Sequence, residues 1–172
     1  MEIFKINFYL KENKNLNYLK YMKFFFLLSL IAGTINTLVS KVSIKNFRFF
    51  ILTLIFSIII FFLIIIAKSV IETLLFYGIT KISDGSGNYR NILIIVARSQ
   101  RSLIILSIIL LILTVVYPNF NNFKIAIYLR YIFQFFYLLD IYFSLSNYSK
   151  FKKKILVLIL FAIMYSMNFL IK

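Results

Sequence analysis

Residues 49–67 read FFILTLIFSIIIFFLIIIA, nineteen in a row without a charge, and only Thr53 and Ser57 among them carry a polar side-chain atom. As a helix this run rises about 28 Å, close to the roughly 30 Å of a bilayer's hydrocarbon layer. Inside lipid a backbone satisfies its own N–H and C=O groups only as a helix or a closed barrel. A barrel strand would alternate apolar and polar residues, and this run does not. It predicts a transmembrane helix, around which the rest of the chain must be arranged.

Hydrophobic residues make up 62 % of the 172, against roughly half in a soluble domain. A water-soluble fold of this length has no interior for so much Ile, Leu and Phe, so the expected fold class is all-α, a polytopic bundle of about five transmembrane helices. The net charge is +15. Such a balance suits nucleic acid, but here the cations fall between apolar runs and form no continuous stripe. They read as span flanks on the cytoplasmic side, and no nucleic-acid partner is expected.

The chain has no Cys and no His, which removes thiolate chemistry, the commonest general base and the commonest metal ligand. The five acids are Glu2, Glu12, Glu72, Asp84 and Asp140. No two of them make a convincing acid/base or metal pair by spacing. The chain is therefore expected not to be an enzyme and to need no cofactor and no metal.

Along the chain, residues 1–23 form a basic cytoplasmic tail in which residues 3–10 suit a short interfacial helix. A first span follows at about 24–40. It reads as uncleaved, because a signal peptide would have an unusually long n-region here and no clean small-x-small site. Ser29, Gly33 and Thr37 are four apart and share one face, which suits close helix approach. Asn36 should hydrogen-bond to a neighbouring helix. The second span is 49–67. Beyond it, 68–80 keeps a helical pattern, with Val70, Ile71, Leu74 and Leu75 on one face and Glu72 and Thr73 on the other. This segment either lies in the interface or extends the second span, and Lys68 can pair with Glu72 one turn on.

The one turn cluster is Ser83-Asp84-Gly85-Ser86-Gly87-Asn88. Its glycines permit positive φ, and Asp84 and Asn88 can cap local backbone. It lacks the Lys-Ser/Thr ending and preceding strand of a phosphate loop. Residues 92–97 form a short apolar run cut by Arg98, Ser99, Gln100, Arg101 and Ser102. Arginines are costly at mid-membrane, so Arg98 and Arg101 belong at the cytoplasmic interface and 92–97 reads as an interfacial or re-entrant helix. The third span is about 103–117, with Pro118 stopping it. The fourth, about 125–145, carries Arg130, Gln134 and Asp140. The last, about 155–171, follows the cluster Lys150, Lys152, Lys153 and Lys154, which also suits anionic lipid.

Five spans place the termini on opposite sides. Thirteen basic residues then fall on the side of the N-terminus against five on the other, giving N-inside and C-outside by the positive-inside bias. The expected location is a membrane, the inner membrane if the chain is bacterial.

The turn ISDGSGNYRN at 82–91 resembles the Gly-Gly-x-Gly-Ser-Phe-Lys-Gln turn of the Yip-type (Ypt/Rab-interacting) membrane proteins, with Gly85, Gly87, Tyr89 and Arg90 in matching places. In that family the turn follows a long second helix and precedes a short apolar run ending in a polar break, and 68–80 and 92–97 are similar. Residues 133–155 resemble its fourth helix, the following link (here Asn147-Tyr148-Ser149) and the basic approach to the fifth helix. The resemblance runs from about residue 24 to the end. The family's proline before the third helix is missing, Asp84 replaces the first turn glycine, and Ile141-Tyr142 replaces a Gly-Leu. Eukaryotic members are associated with Rab GTPases and vesicle traffic, and bacterial-type members have no settled activity, so the resemblance implies architecture more than a biochemical act.

Two functions follow as expectations. In the leading one the chain organises membrane or partner proteins, or its own oligomer, through a cytoplasmic face of Gly85, Gly87, Tyr89, Arg90, Arg98, Arg101, Lys150, Lys152, Lys153 and Lys154. In the alternative, Arg130, Gln134, Asp140 and Asn36 line the path of a small transporter or channel subunit.

Overall fold

The computed structural model describes residues 18–39, 47–117 and 124–170. The interfacial helix expected in the tail, the loop cations Lys41 and Lys45, the stop at Pro118 and the terminal Lys172 lie outside the described residues. Five helices follow one another: α1 (Tyr18–Val39), α2 (Phe47–Ile82), α3 (Tyr89–Val116), α4 (Lys124–Ser149) and α5 (Lys154–Leu170). There is no strand among the described residues. Helices α1 to α4 are long and apolar enough to cross a membrane, and α5 is apolar but shorter. At 17 residues α5 rises about 26 Å. Their outward faces are dense with Phe, Ile and Leu, as at Phe56, Leu63 and Ile112, far more exposed apolar surface than a soluble monomer carries. The chain is a multi-pass membrane protein.

Three boundaries differ from the sequence reading. First, α2 does not stop at Ala67. It runs unbroken for 36 residues, so 68–80 is the extension of the second span and not a separate interfacial helix. Second, 92–97 is no element of its own but the start of α3, which continues straight through Arg98–Ser102. Helix hydrogen bonds are indifferent to side-chain polarity, and two of the polar residues there, Ser99 and Gln100, are buried in the bundle, while Arg101 is exposed. Third, α1 begins at Tyr18, inside the segment read as a tail.

Helix α3 is the centre of the bundle, packing on α1, α2 and α4, while α5 lies against α4 and the end of α2. Besides a small cluster of Leu106, Leu110 and Ala126 between α3 and α4, two larger apolar cores result. One joins Phe76, Ile92, Val96, Ile141, Leu145 and Phe161 at the end where α2 gives way to α3. The other joins Phe25, Leu28 and Ile31 of α1 to Ile65, Ala97 and Ile104.

The Ser29–Gly33–Thr37 face is buried, and α1 crosses α2 there. A Cβ on Gly33 would lie 2.9 Å from the Ile58 backbone. Asn36 Nδ2 donates to Ser57 Oγ across the same crossing at 3.3 Å. Gly33→Leu should therefore force the helices apart and cost about 1–3 kcal/mol, read as a lower midpoint of thermal unfolding in detergent. Gly78 has open space around it, so Gly78→Ala should leave the midpoint equal or higher.

Candidate functional site

Between the two cores, α2, α3 and α4 are tied by polar side chains. On α2 the inward residues recur as Ser69, Thr73, Phe76 and Thr80, so small hydroxyls face the helices and Val70, Ile71, Leu74 and Leu75 face out. Gln100 of α3 is 1 % exposed, and its Nε2 donates to Ser69 Oγ at 3.4 Å and to Tyr137 Oη at 3.3 Å. Tyr137 of α4 in turn donates to Glu72 Oε2 at 2.6 Å. Lys68 Nζ lies 3.7 Å from Glu72 Oε1 and over the Tyr137 ring, 5.9 Å from its centroid. One buried amide thus joins three helices, and one carboxylate is held by a phenol and an ammonium. Asp140 follows Tyr137 by about one turn on α4.

Sequence reasoning paired Lys68 with Glu72 but missed Ser69, Gln100 and Tyr137. The available signal was the hydroxyl stripe itself. In an otherwise apolar helix, small polar residues at helical spacing mark the face turned to other helices.

The intramembrane residues singled out from the sequence do not converge. Asn36 is at the α1–α2 crossing, bonded to Ser57. Arg130 is exposed on α4, about 10 Å along the axis from Tyr137. Gln134 and Asp140 are half-buried, and among the described residues neither makes a hydrogen bond or ion pair. No three His, Cys, Asp or Glu side chains among the described residues are grouped to hold a metal.

At one end of the bundle the turn between α2 and α3 is clasped to the link between α4 and α5. Helix α2 closes with two characteristic bonds, Asp84 N–H to Lys81 O and Gly85 N–H to Thr80 O. The left-handed residue of that cap is Asp84, with φ 54°, and neither turn glycine has positive φ. The glycines are needed for space instead. A Cβ on Gly85 would sit 3.1 Å from both Ser149 O and Thr80 O, and one on Gly87 would sit 2.8 Å from Thr80 Cγ2. That closeness lets Ser86 N–H reach Ser149 O at 3.0 Å, and Lys152 N–H reach Ser83 O at 3.2 Å. Asn91 Nδ2 donates to Tyr148 Oη at 2.6 Å, Lys153 pairs with Asp84 at 3.2 Å, and Asn88 caps α3 through Arg90 N–H.

The structure therefore brings Gly85, Gly87, Tyr89 and Arg90 together with Lys150, Lys152, Lys153 and Lys154. Lys81, Arg90 and the four lysines are exposed there, and the one carboxylate among them is Asp84. Tyr89 packs edge-on against Tyr77. Arg98 and Arg101 stand apart, about 14 and 18 Å along α3 from Tyr89.

No protein-family model, curated protein or solved structure matches this chain.

Tyr137→Phe removes the shared hydroxyl and leaves Glu72 and Gln100 each short of a partner. A loss of about 1–3 kcal/mol is expected, measured by unfolding in detergent. Adding Glu72→Gln should cost less than it does in the wild type, because the two residues act through one bond.

Proposed function

We propose that this chain is a non-enzymatic, Yip-like membrane protein that gathers a partner protein at its basic end, which faces the cytoplasm. The observation that supports this reading is the clasped turn. Four backbone segments converge there, and backbone hydrogen bonds set their spacing. The resulting rigid platform presents six cations against one paired acid. Such a surface attracts and orients an acidic partner through its field. The turn that carries the family resemblance is the same segment that forms the platform, and the excess of cations at this end also supports placing it inside.

Reversing Lys150, Lys152, Lys153 and Lys154 to Glu should abolish co-purification of proteins crosslinked in native membranes, with the protein still folded by circular dichroism. If every crosslinked partner stays bound, the reading fails. Flux of ions or small solutes in liposomes that Asp140→Asn abolishes would favour a transporter subunit instead.

A further inference from the structure

Helix α2 is too long for one bilayer. Its 36 residues rise about 54 Å, and even at the roughly 40° upper end of helix tilt it would span about 41 Å against some 30 Å of hydrocarbon. Part of the bundle therefore stands beyond the hydrocarbon, and the level of the boundary can be read from the charges. The Ser69–Gln100 bond aligns α2 with α3, so Lys68 and Arg101, each one residue from that bond, lie at nearly one height. Lys23 and Arg101 in turn both approach the Phe24 ring. Lys23 Nζ is 5.4 Å and Arg101 Cζ 5.2 Å from the centroid of Phe24. Below this belt no charge interrupts 24–39, 49–67 or 103–116, and on α4 Arg130 lies about 10 Å below the level of Tyr137.

We infer that Lys23, Phe24 and Arg101 form a binding site for the phosphate headgroup of an anionic phospholipid. Both cations are exposed, and neither makes an ion pair or a hydrogen bond with another described residue. Two cations near one ring, with no acidic partner among the described residues, make a site for a phosphate, with Arg able to bind two of its oxygens at once. The chemistry directly below selects a lipid over a free ion. Helices α1 and α3 descend side by side from the two cations. Leu27 and Leu30 follow Lys23 at one and two turns, and Ile105 and Ile108 follow Arg101 in the same way. All four are exposed. A polar head above two adjacent apolar stripes matches the shape and polarity of a phospholipid. The inference rests on membrane residence and not on the proposed partner platform, which lies at the end of the bundle.

The test uses the full chain in detergent micelles doped with phosphatidylcholine, with or without phosphatidylglycerol, and native mass spectrometry to count retained lipids. The wild type should retain phosphatidylglycerol over phosphatidylcholine. Lys23→Gln and Arg101→Gln should each lower that preference about fivefold, whereas Lys152→Gln combined with Lys154→Gln should not. Added inorganic phosphate should leave the lipid bound, and displacement by phosphate alone would overturn the lipid assignment. Should a variant fail to fold, photoreactive phosphatidylglycerol on the wild type decides the matter. Crosslinks are expected on the peptides holding Phe24 and Arg101, and crosslinks confined to 150–154 would overturn the proposal. So would an unchanged preference in the two glutamine variants.

Discussion

Lipid tails are as apolar as leucine, so within a bilayer the hydrophobic effect gives two helices no reason to touch. What remains is close packing and the need of polar groups for one another. This chain uses both at named places. Gly33 removes a side chain where α1 meets the Ile58 backbone, and Gln100 places an amide where α2 and α4 both offer hydroxyls. Gln100 holds α2 and α4 in register with α3, together with the packed core and the clasp at the basic end.

The polar junction is also where charge is most expensive and best compensated. Glu72 stands 17 % exposed by side chain, within reach of Lys68 and receiving the Tyr137 hydroxyl. A carboxylate in this setting is tolerable because two partners share it. Deep in hydrocarbon an unshared carboxylate would carry a desolvation penalty that one ammonium at 3.7 Å would offset only in part.

The clasp at the basic end follows a different logic. Its central bonds run from backbone to backbone, so they specify shape without specifying most side chains. Only the residues that must be absent are constrained: a Cβ at Gly85 or Gly87 would strike the opposing strand of chain or Thr80. Side chains around the clasp are left to carry charge. A structural motif and an electrostatic surface thus occupy the same few residues.

Helicity, membrane residence and the positions of the apolar runs were legible from residue order, because lipid demands long uncharged stretches and a helix is the form that satisfies their backbone. The Lys68–Glu72 pair and the Gly33 face were legible too, since both are spacings within one helix. What the order of residues could not give was the set of contacts between helices. Polarity at Arg98–Ser102 looked like an interruption because a one-dimensional pattern has no third helix to receive Gln100. Gly85 and Gly87 looked like residues chosen for φ, because the Ser149 and Thr80 atoms that exclude a side chain come from elsewhere in the chain. Local hydropathy and spacing determine which segments are helices. Which face of each is turned inward, and at what height it meets the next, is decided only when distant polar groups find their partners, and that is a property of the assembled bundle.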